Sequence, residues 1–567
     1  MATAAATGTA SRRRRFSPDS DGAAHESRAV VVSIVVAAFF VSFGALHYGL
    51  FTHGLLMDTP VYERYGDAIV HGARVPYADF SVEYPPGALP VFAAPSLVAP
   101  AGDFDRYRIA FETLMLLCGG VAAAVVGLVV TERRIAATLL AGLAPLALGP
   151  VVLSRFDLWP AMLSAAGLAA LVSGRLRLAC VVLGTAFAAK IYPGVLVPLA
   201  LAHVWRRDGR REALVCGGAA AAAALAWFLP FLVVSPHGVW SSIAGQASRP
   251  LQLESLGAAF LLAGHQAWGL PLAQVVSHGS DNLGGSAAHV LATVQGVLAP
   301  LALVALWIAY ARGPATRERL LRYAAACVCA FVVFGKVLSP QYLIWLIPLV
   351  PLVRSTRAWI LFVAALVLTQ LWFPRHYLDL AYGFDARASW LVLARDLVLL
   401  ALLLVLVLPR RPLVLVVVAA ALAAVGAAAA GVSSPRALSH STVLAETGVA
   451  STCAGAPSAP STSEQTVRYA VRGYENGADR TRCAIVTVRS SDRAPLFSAA
   501  YRDSFLPADP TRNLLGDAGT CTDVAQHPAS SVTYAFRVPA HVRFAVEVEH
   551  CTASDAVPDY AARVAWR

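Results

Sequence analysis

Charged side chains are scarce in this sequence. Asp, Glu, Lys and Arg make up only 14% of its 567 residues, whereas a soluble domain carries about 25%. Hydrophobic residues account for 57%, and several apolar runs are long enough to cross a hydrocarbon core of about 30 Å as helices. These runs include residues 29–51, 114–131, 290–310 and 413–431. The composition therefore excludes a large soluble protein and predicts an all-α, multi-pass protein of the cell membrane.

Lysine is almost absent as well. Of the 45 Lys and Arg residues only Lys190 and Lys336 are lysines, and both lie in apolar surroundings. A charge well inside a membrane segment costs about 2.5–3.5 kcal/mol on insertion scales. We therefore expect a partner, such as a bound anion, to offset this cost. The alternative is that both side chains extend to the membrane interface.

The arginines indicate how the chain crosses the membrane. They give a net charge of +11, but they cluster in short loops beside apolar runs, as the positive-inside rule expects of cytoplasmic loops. No basic patch is interleaved with aromatic residues, so no nucleic-acid partner is expected. The basic run at residues 12–15 predicts a cytoplasmic N-terminus. The basic loops together predict about 11–14 membrane segments, and the pair at residues 410–411 places the C-terminal tail outside.

A short stretch between two basic loops predicts a broken membrane helix. Residues 178–203 fit two short segments that meet at residues 190–193. Such a break is tolerated only where it is buried in protein or lines a cavity. Two further stretches, residues 88–100 and 256–276, are apolar but short or interrupted, and each can lie in the interface or enter the membrane.

Composition divides the chain into four parts. Residues 1–27 are small and polar and are expected to be a disordered cytoplasmic segment. Residues 28–432 are the expected transmembrane domain, and residues 433–465 the expected linker. In residues 466–567 apolar and polar side chains alternate with period two, which predicts a small, β-rich extracytoplasmic domain of antiparallel strands.

The nine cysteines divide between these parts. Five lie in or beside apolar spans, where free thiols behave as small hydrophobes. Four lie in the tail, where two disulfides with three possible connectivities are expected. Zinc is the alternative, but the tail has no C-x-x-C pair. The four candidates are Cys453, Cys483, Cys521 and Cys551.

Motifs of nucleotide-dependent and metal-dependent enzymes are missing. The sequence has no Walker motif and no G-x-G-x-x-G after a strand, and no His or Cys spacing typical of metal ligands. Asp103 and Asp105 form an acidic pair near the first loop, and we expect them to cap the following helix. No cofactor and no metal are therefore expected.

The loop after the first span is rich in acidic residues and proline. It begins with Asp58 and Pro60, and Glu83 and Tyr84 precede a Pro-Pro-Gly turn into the next apolar segment. Asp58 suits the N-cap of a helix, because Pro60 fits a first helical turn. A carboxylate in that position can also catalyse, so the two interpretations are compatible.

Five stretches carry a recognisable pattern: Asp58 with the later VPYADFSVEYPPG, SRFDLWP at residues 154–160, AKIYP at 189–193, RPLQLESL at 249–256 and GKVLSPQY at 335–342. In this order along the chain they resemble glycosyltransferase family 87, which is of the GT-C type. The resemblance does not extend to the tail. Because the family contains polyprenol-phosphate-mannose-dependent α-mannosyltransferases, it implies transfer of a sugar from a polyprenyl-phosphate donor to an extracytoplasmic glycolipid or glycan. Mannose is the expected sugar, and arabinose or another sugar is the alternative.

The resemblance also implies roles for single residues. Asp58 is the expected general base, and displacement by a single base inverts the anomeric centre. The cations expected to hold the donor phosphate are Lys336, Lys190, Arg249 and Arg155. The residues expected to bind substrate are Glu83, Tyr84, Asp157, Gln252, Glu254 and Gln341. Two other functions stay open: a transporter or flippase of polyprenyl-linked sugars, which the break at Lys190 also fits, and a non-enzymatic envelope assembly protein.

Overall fold

A computed structural model describes most of the chain. The described residues are 18–51, 57–408, 412–434, 441–455, 457–490, 495–503, 505, 509–521, 531–551 and 560–567. The basic runs at residues 12–15 and 410–411, and most of the predicted disordered N-terminus, lie outside them.

Helices dominate the chain up to residue 430. In chain order, α1 to α17 are Pro18–His47, Thr59–Val70, Leu89–Ser96, Phe104–Val129, Arg134–Leu148, Leu158–Val172, Leu176–Ala189, Leu196–Asp208, Arg210–Val234, Pro236–Ala247, Leu256–Trp268, Ser286–Arg312, Arg317–Phe334, Thr356–Trp372, Tyr377–Gly383, Ala386–Val407 and Pro412–Ala430. Between α10 and α12, the short strands β1 (Leu251–Gln252), β2 (Ala273–Ser277) and β3 (Ser280–Gly284) form an antiparallel sheet in the order β1-β3-β2.

The all-α, multi-pass membrane fold is confirmed. Within the described residues six helices are long and apolar enough to cross a membrane, and the bent pair α14–α15 makes a seventh if it is one span. Shorter apolar helices, such as α5, α6 and α7, lie among them. The five cysteines of the apolar region are buried free thiols, as predicted. The acidic residue before α4 also behaves as expected, because Asp103 accepts a hydrogen bond from the Arg106 backbone N–H at 3.1 Å.

The predicted break in the chain occurs at Lys190. Helix α7 ends at Ala189, Lys190 is extended (φ −159°, ψ 146°), and a 3₁₀ turn over Tyr192–Val195 leads into α8. Pro193 has no backbone N–H, so a continuous α-helix is disfavoured there. A second opening follows α13, where the 3₁₀ stretch Pro340–Leu346 begins. The two openings lie side by side, since the Lys190 Nζ is 5.7 Å from the centroid of the Tyr342 ring.

The tail folds into two antiparallel sheets, which confirms the predicted β-rich region. The strands β4 to β11 are Ser441–Glu446, Ser461–Glu475, Arg482–Ser490, Leu496–Arg502, Leu514–Asp517, Ser531–Val538, Arg543–His550 and Tyr560–Trp566. One sheet has the order β4-β5-β10-β7-β8 and the other β11-β6-β9. Strand β4 falls inside the stretch expected to be a linker and pairs with β5. Disulfides join Cys453 to Cys483 and Cys521 to Cys551, which selects one of the three connectivities.

Candidate active site

The loops at the ends of the broken helices surround a large cavity. Its volume is about 1010 Å³, at the upper end of the range usual for ligand sites. Ten of the eleven residues that the sequence singles out for catalysis or binding line it: Asp58, Glu83, Tyr84, Arg155, Lys190, Arg249, Gln252, Glu254, Lys336 and Gln341. The fold thus brings together motifs that are spread over almost 300 positions of the sequence.

Asp58 occupies the N-cap position of α2, but its side chain does not cap that helix. Within the described α2, no hydrogen bond joins the carboxylate to the first turn. The carboxylate is instead ion-paired with Arg155, and the Tyr62 hydroxyl donates to it at 3.4 Å. The Asp58 side chain is 32% exposed. It is therefore held in orientation and can still be reached from the cavity.

Arg155 precedes α6 and is almost fully buried. Burial lowers the pKa of its guanidinium to about 10, although the negative charge of Asp157 opposes this shift. The side chain is therefore still charged at neutral pH. A fixed positive charge next to Asp58 favours the ionised form of that carboxylate.

The Pro-Pro-Gly turn of the first loop lies against the end of α7. A Cβ atom on Gly87 would lie 2.7 Å from the backbone of Ala188 and Ala189, so a larger residue has no space there. The Trp159 indole N–H donates to the Gly87 carbonyl at 3.1 Å. This glycine thus allows the first loop to approach the helix end that presents Lys190.

Asp157 does not line the cavity, so its expected contact with the sugar needs correction. Its side chain is fully buried and accepts hydrogen bonds from the Lys190 ammonium and the Trp345 indole, both at 2.6 Å. The Lys190 Nζ also lies 4.5 Å from the centroid of the Phe156 ring and 5.3 Å from that of Trp345. Asp157 therefore positions and neutralises Lys190. Arg155 thus faces the cavity, whereas Asp157, two residues later, faces the core.

We expect Asp157→Asn to destabilise the protein, because it leaves the Lys190 ammonium without an anionic partner. Removal of one member of a buried ion pair typically costs about 3–5 kcal/mol. Thermal unfolding of the purified protein in detergent measures the effect. The double variant Asp157→Asn/Lys190→Met should recover part of the loss, since no buried charge is then unpaired. Equal unfolding temperatures for the wild type and Asp157→Asn would contradict this account.

Lys336 and Arg249 form a cationic wall on another side of the cavity. The Lys336 ammonium donates to the Ala247 carbonyl at 2.8 Å. The Arg249 guanidinium donates to the His278 carbonyl at 2.6 Å and to the Gln246 amide oxygen at 3.2 Å. Backbone and amide oxygens orient both cations without neutralising them. Their positive charge is therefore available to an anion in the cavity.

A polar cluster lies next to this wall. The Gln252 amide donates to the Glu254 carboxyl at 2.7 Å, and the Gln252 backbone N–H donates to the Lys336 carbonyl at 3.0 Å. Burial raises the pKa of Glu254 to about 8, although the charge of Arg395 opposes this shift. Glu254 is thus mostly protonated at neutral pH and can donate a hydrogen bond as well as accept one. Such groups suit sugar hydroxyls or phosphate oxygens.

Sequence patterns did not identify every residue of the cavity wall. Asp281 on β3, Tyr377 on α15, and Glu475, His541 and Arg543 of the C-terminal domain also line it. Glu475 and Arg543 lie at the ends of β5 and β10, and no sequence pattern distinguishes the last three residues from solvent-facing polar residues. Within the described residues no group of three or more His, Cys, Asp or Glu side chains is arranged to hold a metal ion.

Two family models match parts of this chain. Residues 82–340 match glycosyltransferase family 87, and residues 282–408 match the mannosyltransferase (PIG-M) family. No curated protein matches the chain. A solved structure of ArnT from Cupriavidus metallidurans bound to undecaprenyl phosphate is 15% identical, with a TM-score of 0.37 over 71% of this chain and 76% of that one. The arabinosyltransferase EmbB from Mycobacterium smegmatis is 12% identical, with a TM-score of 0.33 over 99% of this chain and 66% of that one.

Proposed function

We propose that this chain, a membrane glycosyltransferase of the GT-C type whose residues 82–340 match glycosyltransferase family 87, moves a mannosyl group from a polyprenyl-phosphate donor to an extracytoplasmic glycolipid or glycan. The observation that carries the proposal is a single cavity, at the ends of membrane helices, that holds both Asp58 and a wall of cations. A lipid phosphate needs a site of this kind, because its tail stays in the membrane while its charged head needs cations.

The proposed reaction is a single displacement at the anomeric carbon. The acceptor hydroxyl oxygen forms a bond to that carbon while the bond from the carbon to the phosphate oxygen breaks. The hydroxyl proton passes to the Asp58 carboxylate, and polyprenyl phosphate leaves with the electron pair of the broken bond. Attack from the face opposite the phosphate inverts the configuration, so a β-linked donor gives an α-linked product. No paired carboxylic acid is needed, because phosphate is a good leaving group without protonation.

The cations have two roles in this reaction. Lys336 and Arg249 hold the phosphate in the ground state, and they stabilise the negative charge that develops on it as the bond breaks. Arg155 orients Asp58 toward the acceptor hydroxyl. Gln252, Glu254 and Gln341 supply donors and acceptors for the sugar hydroxyls. The match of residues 282–408 to a mannosyltransferase family supports mannose as the sugar.

A radiolabelled donor assay tests this proposal. Purified full-length protein is mixed with polyprenyl-phosphate [¹⁴C]mannose and an envelope extract from the host strain that lacks the gene. We expect label to pass into the acceptor fraction and unlabelled polyprenyl phosphate to be released. Polyprenyl-phosphate arabinose in a parallel reaction decides between the two sugars. A flippase would move the intact donor across a vesicle membrane without breaking the sugar–phosphate bond.

We also propose that the N-terminus is cytoplasmic and that the tail, residues 433–567, lies outside. We therefore predict that a membrane-impermeant thiol reagent labels the tail cysteines of intact cells only after an impermeant reductant has been added. The reason is that all four tail cysteines are in disulfides, while the other five are buried thiols. Labelling without reductant would contradict the disulfides in the cell. Labelling that requires lysis would contradict the orientation.

A further inference from the structure

The C-terminal β domain packs directly on the helices that form the cavity. A Cβ atom on Gly473 of β5 would lie 2.3 Å from a ring carbon of Tyr382 and 2.5 Å from the Leu378 Cβ, so the strand and α15 are in close contact. Arg472, the neighbouring residue of β5, lies 3.8 Å from the Asp379 carboxylate. Such close packing makes this domain part of the cavity wall.

A buried ion pair fixes the domain in this position. Arg543, the first residue of β10, donates to the Asp281 carboxylate at 2.7 Å. The Asp281 side chain is fully buried, and it also accepts hydrogen bonds from the Tyr377 hydroxyl at 2.7 Å and the Gln274 amide at 3.0 Å. This network joins the β2–β3 hairpin, α15 and the C-terminal domain at one point of the cavity wall.

The Glu475 side chain lies at the cavity, next to the Arg543–Asp281 ion pair. It is the last residue of β5, directly opposite Arg543 in the β5–β10 register, and it lines the cavity. No hydrogen bond from the described residues satisfies its carboxyl group. Burial raises the pKa of Glu475 to about 7, although the positive charges of Arg543 and Arg155 oppose this shift. Arg155 is also the ion-pair partner of Asp58, so Glu475 lies near the proposed base.

The chemistry of Glu475 suits the acceptor better than the donor. The donor phosphate is negative, and a carboxylate would repel it, whereas Lys336 and Arg249 on the other wall attract it. Sugar hydroxyls donate hydrogen bonds to carboxylates. The proposed outside location of the β domain places this wall on the aqueous side, from which a polar glycan can enter.

We propose that the C-terminal domain forms the acceptor wall of the active site, with Glu475 as the residue that binds hydroxyl groups of the acceptor sugar and Arg543 as its positioning residue. This inference rests on the proposed glycosyl transfer. The C-terminal domain lies beyond the part of the chain that matches the family. The inference gives this domain a role, since it completes the cavity at the side where the acceptor binds.

The test separates transfer to the acceptor from transfer to water. Purified full-length variants react with polyprenyl-phosphate [¹⁴C]mannose and the envelope extract, and both the labelled acceptor and the free labelled mannose are measured. For Glu475→Gln and Glu475→Ala we expect acceptor transfer to fall about 10- to 100-fold, because a hydrogen bond to a charged group is lost. Release of free mannose should stay at the wild-type rate. Arg543→Gln should raise the KM for the acceptor extract without changing the KM for the donor.

Asp509→Asn is the matched control, since this exposed carboxylate of the same domain does not line the cavity. Normal acceptor transfer by both Glu475 variants would overturn the inference, and so would equal loss of transfer and hydrolysis. A wild type that releases free mannose but labels no acceptor would also exclude an acceptor wall. If the wild type neither transfers nor hydrolyses, the proposed glycosyl transfer itself fails and the inference falls with it.

Discussion

Asp58→Asn is expected to lower sugar transfer at least about 100-fold, because a positioned general base typically contributes 10²- to 10⁴-fold. The amide has nearly the same size as the carboxylate, and its oxygen can still accept a hydrogen bond from Arg155. It cannot take up the proton of the acceptor hydroxyl. Folding and donor affinity should therefore change little. Initial rates with labelled polyprenyl-phosphate mannose, together with direct binding of the donor, separate the two effects.

Asp105→Asn is the control for this substitution. Asp105 lies near the start of α4, its side chain is 77% exposed and it does not line the cavity. The control should transfer mannose like the wild type. An Asp58→Asn protein that keeps more than about a tenth of the wild-type rate would exclude Asp58 as the base, since the loss would be below the minimum expected of one.

Local patterns in the sequence predicted the membrane fold and part of the tail. Long apolar runs specify helices because only a helix satisfies its own backbone in a membrane. In the tail, the strands with strict alternation, such as β9 and β10, were recognisable. Strand β7 was not, because Leu496 to Tyr501, which are all buried, show no alternation of apolar and polar side chains. Strand β4 depends on pairing with β5 across a stretch rich in Pro, Ser and Thr, which no local pattern reveals.

The residues of the candidate site were predictable where a short motif lies within a single loop. The positions of Asp58, Arg155 and Lys336 follow from short patterns beside apolar runs. The side chains that contact these residues cannot be predicted from such patterns. Arg543 meets Asp281 across 262 positions of sequence, and only the tertiary fold brings them together. The same holds for Lys190 and Asp157. Asp157 precedes α6 and Lys190 follows α7, so their charges neutralise each other only because these two helices pack together.

This neutralisation favours Lys336 over Lys190 as the lysine that binds the donor phosphate. Asp157 already balances the charge of Lys190, whereas the Lys336 ammonium has the neutral Ala247 carbonyl as its hydrogen-bond partner. Lys336→Met should therefore weaken donor binding about 10- to 100-fold, because a hydrogen bond to a charged group contributes about 1.5–3 kcal/mol. Lys190→Met should affect donor binding less. Equilibrium binding of radiolabelled polyprenyl-phosphate mannose to the purified protein measures both.

Lys336→Arg and Arg210→Gln are the controls. The first keeps the charge, but we expect it to impair binding too, because the wide guanidinium fork does not replace a compact ammonium in a fitted site. The second removes a positive charge from an exposed residue at the start of α9, away from the cavity, and should bind donor normally. If Lys336→Met and Lys190→Met both bind donor like the wild type, neither lysine holds the phosphate. The phosphate site must then be formed by Arg249 and Arg155, and their substitution should abolish donor binding instead.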